Sequence, residues 1–156
     1  MKKGGLSRRG DTYRTVGQMQ RAALVSSRKL IQACMAYNKT EVLGLLGDVD
    51  VNAKEVATNP SGTLALPGMS AVYLVTATCV QDPSFEIAKL LVARGADVNC
   101  RNIDGTTPLI GATVHGNIQA VKFLLHIPGI DVRLADFEGD TAMHYAGDFN
   151  FVLLYD

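Results

Sequence analysis

One interval dominates this sequence, and it constrains the fold more than composition does. Asp104-Gly-Thr-Thr-Pro-Leu109 is echoed by Glu138-Gly-Asp-Thr-Ala-Met-His-Tyr-Ala146, and the two glycines, Gly105 and Gly139, stand 34 residues apart. Upstream, Glu86-Ile-Ala-Lys-Leu-Leu-Val-Ala-Arg-Gly-Ala-Asp-Val-Asn99 is echoed by Ala120-Val-Lys-Phe-Leu-Leu-His-Ile-Pro-Gly-Ile-Asp-Val132. Two patterns that recur in the same order at the same offset mark a repeat array. Each unit of such an array is one supersecondary element, too small to bury its own apolar face, and its neighbours complete the core.

The local signals inside a unit are helical. Ile87, Leu90, Leu91 and Val92 form one amphipathic stripe, and Val121, Leu124 and Leu125 form another. Ser84 before Phe85-Glu-Ile and Thr107 before Pro108 read as helix starts, each offering an oxygen acceptor, the second followed by proline at the first helical position. Gly95 and Gly129 read as helix ends. Between helix pairs, Asp97-Val-Asn-Cys-Arg-Asn-Ile-Asp-Gly105 is expected to form a protruding turn or finger. After Asn52 the equivalent finger is lengthened by about ten residues in the breaker-rich run Val56-Ala-Thr-Asn-Pro-Ser-Gly-Thr-Leu-Ala-Leu-Pro67, which is expected to be mobile.

These residues resemble the ankyrin repeat, whose period is about 33 and whose signature is T-P-L-H-x-A. Thr107-Pro-Leu109 opens the best copy, Gly116-Asn117 stands where that family has Gly-His, and Val121-Lys-Phe-Leu-Leu125 supplies the second helix. The one-residue excess over 33 is assigned to His126-Ile-Pro-Gly129. The preceding copy starts at Gly68-Met-Ser-Ala-Val-Tyr73 and carries extra residues around Gln81-Asp-Pro-Ser84. Leu30–Leu46 resembles an N-terminal capping repeat, with Tyr37 where glycine is usual. Ile110 and Tyr73 replace the usual histidine, and Ala142 replaces proline. The resemblance implies an all-α, ankyrin-like helical repeat solenoid with β-hairpin or turn fingers. A basic arm over residues 1–28 would precede a repeat domain over 29–156. Its repeats fall at about 29–54, 68–100, 101–134 and an incomplete 135–156, with 55–67 as the long finger insertion.

Net charge is zero, but the charge is divided unevenly. Residues 1–29 hold eight Lys or Arg against Asp11 alone, whereas residues 30–156 hold seven against fourteen acids. The Lys2–Arg28 arm can be read as a solvated tail, a contact for nucleic acid or an acidic membrane, a mitochondrial presequence, or a dispersed nuclear signal. It could also fold back on the acidic C-terminal repeat. No apolar run is long enough to span a bilayer, and no secretory h-region follows Lys2-Lys3. An intracellular setting, cytoplasmic or nuclear, is therefore expected, with mitochondrial targeting the lesser alternative. Arg9-Gly-Asp11 is read as an accidental tripeptide.

Nothing in the chain points to catalysis. His115, His126 and His144 share no metal or triad spacing with Cys or carboxylates, and no P-loop, GxGxxG or HExxH occurs. No cofactor or metal is expected. Cys34 and Cys79 are expected in the core and Cys100 exposed. His144 is expected to make a local hydrogen bond. By the same resemblance, Asn99 looks like a site that some ankyrin repeats have hydroxylated.

The implied activity is noncatalytic binding of another protein, basic or mixed in charge, through finger tips and the first-helix face. The resemblance maps that surface onto Ile103, Asp104 and Thr106, then Val114 and His115, then Phe137, Glu138 and Asp140, and finally Asp148 and Phe149. Ile103 and Phe137 are apolar at tips where polar residues would serve, and acids surround them. The competing classes are an accessory subunit that regulates an enzyme and a nucleic-acid binder working through the arm. The apolar end Phe149-Asn-Phe-Val-Leu-Leu-Tyr155 reads either as a truncated repeat or as an interface.

Overall fold

The computed structural model describes residues 25–58, 64–78 and 84–148. It is a row of helix pairs joined by fingers. Helix α1 is described over residues 25–35 and turns through residues 36–38 into α2, Lys39–Leu45. Strands β1, Lys54–Thr58, and β2, Leu64–Ser70, pair antiparallel as one hairpin. Next comes α3, Ala71–Tyr73, which widens into a π-turn over Leu74–Thr78. Then follow α4, Glu86–Ala93, α5, Pro108–Val114, α6, Ile118–Leu125, and α7, Ala142–Asp148. Helix α5 lies between the π-turn before it, its partner α6, and α7 after it.

Asparagine, serine and threonine side chains start α2, α3, α5 and α6. Asn38 and Asn117 cap the second helices, accepting from the N–H groups of Glu41 and Ala120. Ser70 and Thr107 cap the first helices, accepting from Tyr73 and Ile110. An oxygen at these positions satisfies a helix N–H that has no partner within the helix. The π-turn contains Thr76, whose hydroxyl donates 2.7 Å back to the Val72 carbonyl. Such back-bonding competes with the regular ladder and distorts helices.

Junctions between repeats are tied by a second asparagine device. Asn52 donates to the Gly95 carbonyl and accepts from Asp97 N–H; Asn99 does the same to Gly129 and Asp131. One continuous apolar core runs beneath, from Leu30, Ile31 and Cys34 through Val72, Ile87 and Leu91 to Ile110, Ala120 and Leu124.

The buried residues of α4 are Ile87, Ala88 and Leu91, and those of α6 are Ala120, Val121 and Leu124, a spacing of 33. The glycines that follow, Gly95 and Gly129, are 34 apart, so the extra residue does lie in His126–Gly129.

Four local expectations are corrected. The buried stripe of α4 takes Ala88, while Leu90 and Val92 are only half-buried, and Leu125 is 44 % exposed. Ser84 does not cap α4: the cap position is Phe85, at φ 52, with no side-chain hydrogen bond to the helix. Phe85 is held instead by stacking on Phe123, ring centroids 4.8 Å apart. Gly95 follows the α4 cap at φ 83, but Gly129 lies three residues beyond the α6 cap, His126, and shapes a later turn. Cys100 is buried, not exposed, because the finger base folds inward and sets its Sγ 3.0 Å from Ser70 Oγ. The long finger insertion includes the antiparallel pairing of residues 54–58 with 64–70, a hairpin despite the local breakers.

Cys34 is buried as expected, and Cys79 lies outside the described residues. Tyr37 takes φ 54, the conformation that glycine would supply, at a cost of about 1–2 kcal/mol.

Candidate functional site

Two fingers are described in full, and each is stapled by one side chain. Asn102 Oδ1 accepts from the N–H groups of Asp104 and Thr106, both at 2.9 Å. Asp136 Oδ1 accepts from Glu138 and Asp140, both at 3.0 Å. The main chain closes the same turns, Asn102 N–H to Thr106 carbonyl and Asp136 N–H to Asp140 carbonyl. Asn and Asp favour such turns because their side chains accept from backbone two and more residues on.

The fingers also lie on one another. Gly68, Gly105 and Gly139 each stand two residues before the first residue of a new unit, Ser70, Thr107 and Thr141. All three have positive φ, of 65, 80 and 95. Ile103 lies over Gly68 so closely that a Cβ there would meet its Cγ2 at 2.8 Å. Phe137 lies over Gly105, where a Cβ would meet its ring at 2.7 Å and its backbone nitrogen at 2.9 Å. Phe137 N–H donates to the Asp104 carbonyl, and the Arg101 guanidinium donates to the Ala135 carbonyl beneath. Each tip residue is thus a rung set on the glycine of the finger before it.

Ile103, Asp104, Phe137 and Glu138 are therefore brought together as one exposed edge, with Thr106 and Asp140 half-buried at the finger bases. Phe137 is 73 % exposed and Ile103 45 %, although Phe137 N–H is bonded to the Asp104 carbonyl. Val114 and His115 are at the other end of α5, about 10 Å of helix away. The first-helix face contributes little else, because Pro108 through Thr113 are all buried. The His115 ring turns back, Nδ1 lying 2.7 Å from the Gly111 carbonyl. Asp148 ends α7, and Phe149 lies outside the described residues. His144 makes a local bond: its Nδ1 accepts from Thr141 N–H at 3.0 Å.

Electrostatics sharpen the last finger. Tyr145 donates its hydroxyl to Asp136 at 2.7 Å, and that bond pushes the Tyr145 pKa up to about 12. For Asp136, burial favours the neutral acid, but hydrogen bonds from Tyr145, Asp140, Glu138 and Gly139 outweigh it and hold the carboxyl below its ordinary value. Tyr73, packed beside Gly111, is pushed up to about 12, chiefly by burial. Burial likewise raises the Cys100 thiol.

Sequence reasoning missed an apolar groove beside the last finger, of about 430 Å³. Leu109 and Val121 line its floor, and Leu125, Val132 and Met143 stand exposed around it. Its signal was present in the α6 stripe, where Leu125 is one apolar residue more than the core uses.

A family model described as ankyrin repeats in three copies matches residues 74–154. A 61-residue stretch, 39% of this chain, is 41% identical to the human BCL-6 corepressor-like protein 1, of which it covers 3%. Over 54% of the chain it is 40% identical to Protein PhlB of Serratia liquefaciens, covering 36% of that protein. Over 57% it is 35% identical to the Ankyrin repeat and LEM domain-containing protein 1 homolog of Caenorhabditis elegans, covering 12%. The chain spans only a minor part of each of these relatives. Among the described residues no helix is long and apolar enough to cross a membrane.

Proposed function

Because the chain belongs to the ankyrin-repeat family, whose repeats are protein-interaction modules, we propose that it binds another protein noncatalytically through its finger tips. The observation that supports this is Phe137, which is 73 % exposed while its N–H is bonded to the Asp104 carbonyl and its ring lies over Gly105. A tip whose backbone is ordered before binding loses less freedom on binding, which favours affinity. Exposed aromatics at well-ordered positions are also the usual anchors of interfaces. The acids Asp104, Glu138 and Asp140 around it favour a basic or mixed partner. Val114 and His115 extend the surface at the far end of α5.

The test compares partner capture by the wild-type chain with capture by Phe137→Ala/Ile103→Ala and by Leu43→Ser, which alters an exposed leucine on α2. The tip variant should lose at least about tenfold in capture while keeping its circular dichroism, and Leu43→Ser should lose nothing. Equal capture by all three would refute tip recognition.

A second reading, binding of nucleic acid or an acidic membrane through the arm, draws on the eight basic residues among 1–29. Such binding would fall steeply with salt, whereas tip recognition would depend on it weakly. Regulation of an enzyme through the same tips is the form in which the module would act as an accessory subunit.

A further inference from the structure

Lys54 and Arg101 occupy the same place in two successive fingers. Each stands two residues after the asparagine, Asn52 or Asn99, that ties its repeat to the next. The Arg101 guanidinium reaches forward and donates to the Ala135 carbonyl of the next finger and to the Gly105 carbonyl of its own. The Lys54 ammonium is exposed and has no partner among the described residues. The strut that closes the later junction is therefore missing from the earlier one, and an open polar cavity of about 410 Å³ stands there. Its walls are Asn52, Lys54, Asp97, Asn99, Cys100 and Arg101. Small-molecule sites have volumes of about 300–1,000 Å³.

Most of the polar capacity of these walls is spent. Asn52 and Asn99 each donate to and accept from the repeat that follows. The Cys100 thiol lies against Ser70 Oγ, and burial raises its pKa, so it stays neutral. Asp97 gives one carboxylate oxygen to the Asn99 N–H, and no described group takes the other. Two charges remain, the Lys54 ammonium from the first finger and the Asp97 carboxylate from the second. Among the described residues they form no ion pair with each other. Both are near enough to act on the Cys100 thiol, in opposite senses.

We infer that this cavity binds a small zwitterion of the α-amino acid class, its carboxylate on Lys54 and its ammonium on Asp97. A plain anion would gain Lys54 but meet the Asp97 carboxylate, and a plain cation would gain Asp97 but meet Lys54. A molecule carrying both signs uses both walls. By joining them it spans the first two fingers, as the Arg101 side chain spans the next pair. The inference goes beyond protein recognition at the tips and does not rest on it, because the walls belong to the finger bases and include neither Ile103 nor Phe137.

The probe is glycine, titrated at constant ionic strength into the isotope-labelled full chain and followed by amide chemical shifts. Saturable shifts are expected at Lys54, Asp97 and Asn99. Acetate and methylammonium each keep one charge of the probe and should bind at least about fivefold more weakly. Lys54→Gln and Asp97→Asn should each weaken glycine about fivefold or more. Both positions are exposed, and asparagine at 97 keeps an acceptor for the Asn99 N–H, so the rest of the spectrum should be unchanged. The charges also predict a crossed result that a structural role would not produce. Asp97→Asn should strengthen acetate, and Lys54→Gln should strengthen methylammonium. No saturable shifts with glycine, equal binding of acetate, or wild-type affinity for glycine in either variant would each overturn the inference. Phe137→Ala/Ile103→Ala should leave glycine binding as it is, so failure here and failure of tip recognition are read separately. Loss of glycine binding in that double variant would move the site to the tips and overturn the inference too.

Discussion

The fingers at 102–106 and 136–140 are built alike and covered differently among the described residues. Both close on a side-chain staple, Asn102 or Asp136, and both carry a left-handed glycine. The first is roofed by Phe137 and its glycine is buried; the second has no described roof, and Phe137, Glu138 and Gly139 are exposed. One backbone device thus recurs in both fingers, and it is seen to serve stacking at Gly105, where Phe137 lies on it. Such stacking suits a repeat array, because each repeat contacts only its neighbours.

The comparison breaks most visibly at the glycines. Gly105→Ala must adopt positive φ and also displace the Phe137 backbone, so its loss in urea-denaturation stability should reach about 3 kcal/mol. Gly139→Ala meets only the conformational penalty, about 1 kcal/mol. Equal losses would mean that Phe137 does not bear on Gly105.

The staples come next. Asn102→Ala and Asp136→Ala each leave two turn N–H groups without their acceptor, and each should cost about 1–2 kcal/mol by the same assay. Asp136→Asn keeps the turn, as Asn102 does, and loses only the charge on the Tyr145 bond, so it should cost less than Asp136→Ala.

A pH series sharpens the difference, because only the second staple titrates. Asp136 is held below its ordinary value when folded, so its contribution is present above pH about 4 and is lost as pH falls through the lowered value. Tyr145 is raised, so its contribution is present below about pH 10 and is lost as pH climbs toward 12. Between these limits the Asp136–Tyr145 pair should add no pH dependence to stability, as read by urea denaturation across a pH series. Asp136→Asn should lose the acid dependence that this staple contributes.

The smallest expected effect is Phe137→Ala on stability. With the ring 73 % exposed, the loss should stay below about 1 kcal/mol, far less than for a buried phenylalanine. A large loss would make Phe137 a structural roof only.

The repeat, its period and its one-residue excess were legible because they are carried by local spacing, as in Gly105 and Gly139. What escaped the sequence was set by contacts distant along the chain. Cys100 is buried only because Ser70, thirty residues earlier, folds against it. The β1–β2 hairpin forms despite the local breakers. Ser84 has the chemistry of a cap, but the stacking of Phe85 on Phe123 sets where α4 begins. The tip residues Ile103 and Phe137 were readable as exposed apolar positions. Their footing on Gly68 and Gly105 required the fingers to be seen side by side.

The most direct measurement is amide hydrogen exchange on the full chain, free and bound to a partner it captures. The account predicts slowed exchange at residues 137–140 on binding, with 104–106 already slow in the free chain and unchanged. Slowing elsewhere with residues 137–140 unaffected would contradict it.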